Sequence, residues 1–124
     1  MTAGNFELKE QSGNKGFFGR VSLQAEPQLN GEFQVEFDQQ NAQRWQSAAQ
    51  FGVDYFLEHI PKKKLFPTGL RVFISEIDGH EVDTTNLVIA YVTVNALMRA
   101  LQGQVTLKRQ PTLDVAEGTI EFPK

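Results

Sequence analysis

Cysteine is absent from this chain, which excludes disulfides, zinc–thiolate sites and a cysteine nucleophile. A long hydrophobic run is also missing, since the most apolar stretch, residues 87–101, contains Thr93, Asn95 and Arg99 and is too short to span a bilayer. The first residues have neither the basic region nor the apolar region of a signal peptide. These absences predict a cytoplasmic protein that has no membrane partner.

Neither sign of charge dominates the composition. Charged residues make up 22% of the 124 residues and the formal net charge is −3. A free-standing nucleic-acid binder is usually basic, so this balance argues against RNA binding by the whole surface and leaves room for a local basic patch. Hydrophobic residues reach 40%, with ten phenylalanines, which is enough for one core. We therefore expect a single domain over residues 1–124, with a core at about 5–108 and a tail at 109–124.

Apolar and polar residues alternate in four segments, which is typical of half-buried strands. The segments are residues 6–9, 21–25, 33–37 and 70–75. Pro27 and the Asn30-Gly31 pair separate the second segment from the third and predict a hairpin between them. In the last of these segments Phe73 falls at a position that faces outward from the sheet. There it would contact a partner or the tail.

Two segments have the period of a helix. Residues 41–59 carry an apolar face, with Asn41 as the candidate N-cap and Gly52 at an expected close contact with the sheet. A second helix follows residue 84, with Asp83 or Thr84 as the candidate cap and Gly103 just beyond its end. The apolar positions are Trp45, Ala49, Gly52, Phe56 and Ile60 in the first helix, and Leu87, Tyr91, Val94, Met98 and Leu101 in the second.

These segments give the order βββαβα followed by short alternating pieces, of which residues 105–107 form a possible strand. Three strands followed by alternation of helix and strand predict an α+β fold. We expect a four-stranded sheet backed by two helices on one face, with a strand-like C-terminal tail.

Two connectors have unusual compositions. Residues 11–21 read Gln-Ser-Gly-Asn-Lys-Gly-Phe-Phe-Gly-Arg-Val, and residues 78–85 place a lone histidine before the second helix. The first connector, with Glu26-Pro27 after it, resembles the beginning of domain IV of translation elongation factor G. His80-Glu81-Val82-Asp83-Thr84-Thr85 resembles the loop and helix cap of the same family. Residues 48–53, 66–67 and 108–115 also fit, so the similarity covers nearly the whole chain in order.

The resemblance implies a fold shared with a small-subunit ribosomal protein, with a left-handed βαβ crossover. In elongation factor G the two loops form a tip that reaches the decoding centre and contacts the tRNA–mRNA helix. His80 matches the tip histidine that is modified in the eukaryotic counterpart, Glu81 lies beside it, and Asn14, Lys15 and Gly16 fall in the other tip loop. The resemblance thus implies a non-catalytic, stand-alone homologue of this domain, whose partner is the ribosome or another structured RNA.

Several alternatives remain open for these residues. Lys15 and Arg20 either contact phosphate or are solvated charges of a hairpin. His80 is either a contact residue or an exposed loop histidine without a role. The run of three lysines after the first helix is either a basic patch or a set of solvent-exposed charges that complement the C-terminal dipole of that helix. These lysines are Lys62, Lys63 and Lys64.

Other functions also remain open. The glycine spacing at 13–16 lacks the Gly-Lys-Ser/Thr ending of a nucleotide-binding loop, so we expect no nucleotide, and no cofactor or metal. A protein-interaction domain that has lost RNA contact is the main alternative. A small enzyme is the minor one, because acidic residues surround His80 at Glu76, Asp78, Glu81 and Asp83.

Overall fold

The computed structural model describes residues 2–12, 15–38, 44–80, 83–102, 105 and 107–124, with the backbone alone at 12, 15, 62 and 63. It confirms the α+β prediction and the order βββαβα with a C-terminal strand pair. The elements are β1 (Thr2–Ser12), β2 (Lys15–Pro27), β3 (Glu32–Phe37), α1 (Gln46–Glu58), the short α2 (Lys62–Leu65), β4 (Gly69–Asp78), α3 (Asn86–Ala100), β5 (Thr112–Asp114) and β6 (Thr119–Glu121). None of the helices in these ranges has the length and apolar character needed to cross a membrane.

The four-stranded sheet has the order β1-β2-β4-β3, with β3 parallel to β4 and the other pairs antiparallel. The predicted hairpin between β2 and β3 is therefore wrong, because β4 lies between them. The connection passes the start of β4, where Gln28 N–H donates to Gly69 O at 3.0 Å and Gly31 N–H donates to Thr68 O at 2.8 Å. Gly31 has a φ of +76°, which glycine adopts without strain. The crossover from β3 to β4 contains α1, and its left-handed sense stays a prediction.

The core lies between one face of the sheet and the helices. Val21 and Leu23 of β2, and Val72 and Ile74 of β4, point to this face and are almost fully buried. Because α3 packs against β1, β2 and α1 together, it is buried over more of its circumference than the sequence predicts. Of the predicted apolar stripe, Val94 and Leu101 are buried, Leu87 is 47% exposed, and Tyr91 and Met98 are half-buried; Ile89, Val92 and Ala96 complete the buried surface.

Gly52 marks the closest contact between α1 and α3. A Cβ atom at this position would lie 2.7 Å from the carbonyl oxygen of Ala90 and 2.9 Å from Cβ of Thr93, both on α3. The expected contact with the sheet is therefore wrong, and the close approach is between the two helices. Any larger side chain at position 52 would push these helices apart.

The ends of the helices differ from the predictions. α3 is capped by Thr85, whose Oγ1 accepts a hydrogen bond from Val88 N–H at 3.2 Å, so the predicted caps Asp83 and Thr84 are wrong. α1 begins at Gln46 after Trp45, whose side chain makes no capping hydrogen bond. The other two predicted end residues, Asn41 and Gly103, lie outside the described residues.

The C-terminal tail folds back on α1. Its strands β5 and β6 pair with each other, and the ring of Phe122 contacts Phe51 and Tyr55 with centroids 5.2 and 5.1 Å apart. The Tyr55 hydroxyl lies within hydrogen-bond distance of two carbonyl oxygens, that of Arg109 at 2.6 Å and that of Pro123, and its single O–H donates to one of them at a time. The tail thus packs on the helix layer, and the possible strand at 105–107 is wrong because Val105 and Leu107 are buried without strand geometry.

Candidate functional site

The first unusual connector is mostly strand. β1 runs to Ser12 and β2 begins at Lys15, and these two residues form the last pair of the ladder. The ring of Phe17 is 9% exposed and belongs to the core, so it anchors this end of the hairpin. Asn14 and the side chain of Lys15 lie outside the described part of the chain, and their predicted contact role stays a prediction.

Thr84 connects this hairpin to the segment between β4 and α3. Its Oγ1 donates to the carbonyl oxygen of Phe18 at 2.7 Å and accepts from the N–H of His80 at 2.6 Å. The N–H of Phe18 donates to the carbonyl oxygen of Asp83 at 3.0 Å. Thr84 is 6% exposed, so these bonds are shielded from water. The structure therefore brings Gly16 and His80, from the two predicted loops, to one end of the fold.

We refer to residues 9–11, 16–18, 80, 83 and 84 as the tip. Its most distinctive contact is a stack of the Phe18 and His80 rings, with centroids 4.1 Å apart and an angle of 26° between the planes. Phe18 is half-buried and His80 is exposed, so His80 forms the outer layer of the stack. Glu81, predicted to lie beside it, is outside the described residues.

A depression of about 340 Å³ opens at the tip. The Phe18 and His80 rings form part of its wall, and charged groups come from Lys9, Glu10 and Asp83. The Asp83 carboxylate lies over the backbone of Gly16, where its Oδ1 atom is 2.7 Å from the place a Cβ would take. The tip therefore combines an exposed ring with one cation and two carboxylates.

Arg20 is held in ion pairs beside the tip. Its Nη2 donates to the carboxylates of Glu76 and Asp78, and its side chain is 37% exposed. The hydrogen bond to Asp78 is the main cause of a raised Arg20 pKa, with the charges of Asp78 and Glu76 adding to it. Arg20 already has two anionic partners on its Nη2, which offset its positive charge toward a phosphate, while its buried Nε has no hydrogen-bond partner among the described residues.

The candidate basic patch lies away from the tip. Lys62 and Lys63 begin α2 and Lys64 is exposed; the side chains of the first two are outside the described residues. α2 precedes the first residue of β4, whereas the tip follows its last residue, and a strand of ten residues spans roughly 30 Å. The structure therefore separates α2 from His80 by the length of β4.

The acidic charge of the chain is concentrated on the outer face of the sheet, the face opposite the helices. Twice as many carboxylates as cations project there, and Arg71 in the middle strand is paired with both Glu26 and Glu36. The carboxylates are those of Glu7, Glu26, Glu32, Glu36, Glu76 and Asp78; the cations are Lys9, Arg20 and Arg71. Without these residues, the acidic and basic residues of the chain are equal in number.

Sequence reasoning missed two features of this region. It assigned Thr84 to the helix cap, although the Thr84-Thr85 pair offers two hydroxyls and only one of them can take that position. It also treated the net charge as a property of the whole surface, although the alternation already placed Glu26, Arg71 and Glu36 on one side. Phe73 lies on this outer face with its ring half-buried. No group of metal-ligating side chains occurs within the described ranges.

Comparison with known proteins finds a similar fold but gives no information on function. No family model and no curated protein matches this chain. Among solved structures, the crystal structure of ttk003000868 from Thermus thermophilus is similar, with a TM-score of 0.65 and 22% sequence identity. The match covers 83% of this chain and 16% of the Thermus chain, so this chain spans about a sixth of that protein's length. At this identity the likeness shows a shared fold.

Proposed function

We propose that this chain is a homologue of elongation factor G domain IV and acts as a non-catalytic binding module whose tip contacts structured RNA, above all the ribosome. The observation that carries the proposal is the Thr84 connection, which joins the two loops that the family uses as one tip. A likeness to one segment of a much longer protein fits a module of this kind. The stacked Phe18 and His80 rings and the nearby Lys9 offer groups that bind bases and phosphates.

The distribution of charge supports contact through the tip rather than through the sheet. Phosphates are repelled by the outer face, where the carboxylates outnumber the cations and the two arginines are already paired. The net charge of −3 is thus compatible with RNA binding that is limited to one end of the molecule.

Binding of the purified protein to ribosomal subunits over a salt series tests the proposal. We expect the affinity to fall as salt rises, because phosphate contacts release counterions. Lys9→Gln should weaken binding and reduce the salt slope by about one phosphate contact. The matched control Lys108→Gln, which removes an exposed charge far from the tip, should leave both unchanged. Absence of binding even at low salt would exclude the proposal.

A second candidate is a protein-interaction domain that has lost RNA contact. The pairing of Arg20 with Glu76 and Asp78 favours it, because the two carboxylates offset the positive charge that this arginine would offer to a phosphate. A second experiment, a pull-down from cell extract, separates the two candidates. A protein-interaction domain retains its partner in ribosome-free extract treated with ribonuclease, whereas an RNA-binding module loses its partner there.

A further inference from the structure

The stack at the tip has a free outer layer. His80 covers the ring of Phe18 at 4.1 Å and is itself exposed to solvent. A third flat ring can therefore extend the stack on the open side of the imidazole. Nucleobases stack well on aromatic side chains, and every base has a suitable face, so the stack alone provides binding without selecting a base.

Selection comes from the carboxylate of Asp83, which lines the same depression and lies over the backbone of Gly16. An ionised carboxylate has two acceptor oxygens and no donor. Guanine presents two adjacent donors, N1–H and the exocyclic amino group, on its Watson–Crick edge. The other three bases present one donor there, next to an acceptor that a carboxylate repels. Lys9, on the same depression, can meet the O6 acceptor of guanine or the phosphate of the nucleotide.

We propose that the tip depression binds an unpaired guanine of the RNA, stacked on His80 and held at its donor edge by Asp83. A volume of about 340 Å³ is within the range of small-ligand sites and can hold one base. The donor edge of a paired guanine is occupied, so the ligand must be a guanine in a loop, a bulge or a chain end. This inference rests on the proposed function, because it names the part of the RNA that the tip would take.

Fluorescence anisotropy with four labelled RNA hairpins tests the inference. All share one stem and differ in a single bulged nucleotide, which is guanosine, inosine, adenosine or absent. We expect the guanosine bulge to bind at least about fivefold more tightly than the adenosine bulge and the plain stem, the scale of one bidentate base contact. Inosine, which lacks the amino group, should fall between them.

Three variants assign the effect to the proposed contacts. Asp83→Asn should abolish the preference for guanosine over adenosine, while its backbone carbonyl still accepts from Phe18 N–H. His80→Ala should weaken binding of every bulged hairpin at least about fivefold, and His80→Phe, which keeps a ring, should restore it. The thermal midpoint of each variant, followed by circular dichroism, controls for loss of fold.

The outcomes separate this inference from the proposed function. If all four hairpins bind equally, or if Asp83→Asn keeps the preference for guanosine, the guanine site is wrong while RNA contact by the tip stands. If no hairpin and no ribosomal subunit binds at low salt, the proposed function fails and the guanine site fails with it.

Discussion

At the scale of single residues, Thr84 shows how a hydroxyl can hold a surface in place. It is almost fully buried, and it satisfies one carbonyl from β2 and one N–H from the segment after β4. These groups would otherwise lie unpaired beneath the tip. The described ends of the two loops are therefore joined, and the ring of His80 stays exposed.

Replacing Thr84 by valine tests this role. We expect Thr84→Val to lower the free energy of unfolding by about 2–4 kcal/mol, because two polar backbone groups lose their partner. Thr84→Ser keeps the hydroxyl and should cost about 1 kcal/mol or less through the lost methyl group. Urea denaturation of both variants measures the difference. Equal effects of valine and serine would show that the hydroxyl does not hold the tip.

His80 should behave in the opposite way. Because its ring is exposed and covers Phe18 from outside, His80→Ala is expected to change the free energy of unfolding by less than about 1 kcal/mol. Equilibrium unfolding in urea checks this value. A loss above about 2 kcal/mol would make the histidine a structural residue rather than a contact residue.

At the scale of elements, sequence patterns located every long helix and strand but not all their neighbours. Alternation identified β3, yet its pairing with β4 was invisible because strand pairing across a crossover depends on distant residues. The predicted apolar face of α3 was only partly right. Because α3 lies between the sheet and α1, residues that periodicity assigns to the surface are buried. The two unusual connectors that contribute to the tip could be found in the sequence. The ion pairs of Arg20 could not be predicted, because they depend on the register of β2 against β4.

The contact between α1 and α3 predicts that alanine in place of Gly52 destabilises the protein, although helix propensity alone predicts the opposite. Alanine normally stabilises a helix interior by about 1 kcal/mol relative to glycine. At Gly52 the added Cβ would meet a carbonyl oxygen at 2.7 Å, so we expect Gly52→Ala to destabilise the protein by about 2 kcal/mol. Thermal unfolding measures this, with Ser47→Ala on the exposed side of α1 as a control that helix propensity alone should stabilise by about 0.5 kcal/mol. A stabilised Gly52→Ala protein would contradict the close packing.

The tail is attached to α1 through Tyr55, and this attachment should depend on pH. Burial raises the pKa of Tyr55, so the folded protein retains a proton that the unfolded chain loses above pH about 10. The stabilisation is complete below that pH and decreases as the pH rises through the higher folded pKa. Burial and the charge of Glu10 also raise the pKa of Tyr91, which adds to the same decrease.

Tyr55→Phe isolates the contribution of the attachment. At pH 8 the variant should be less stable than the wild type by about 1–2 kcal/mol, because the hydrogen bond from the Tyr55 hydroxyl to the tail is lost. The difference in the free energy of unfolding should narrow above pH 10. There the wild type loses stability because its folded form must keep the Tyr55 proton, whereas the phenylalanine variant has no such proton. Urea denaturation at pH 8 and pH 10.5 compares the two proteins, and an equal gap at both values would contradict the account.

At the scale of the whole molecule, charge and shape divide the surface into two regions. The outer sheet face carries the acidic excess and pairs its two arginines internally, while its third cation, Lys9, lies at the tip beside an exposed ring and a depression. The sequence supplied the net charge and the resemblance to domain IV. Alternation placed single charges on the outer sides of their strands, but the ion pairs among them depend on which strands lie side by side. This division is the basis for proposing RNA contact at the tip rather than at the sheet.

The most direct test of this division is amide chemical-shift mapping while a structured RNA is added to the labelled protein. We predict that the amides of Gly16, Phe18, His80 and Thr84 shift, and that those of Glu26, Glu36 and Phe73 on the outer sheet face do not. Shifts concentrated on the sheet face would contradict the claim that the tip is the RNA contact. The absence of any shift at a saturating RNA concentration would contradict it as well.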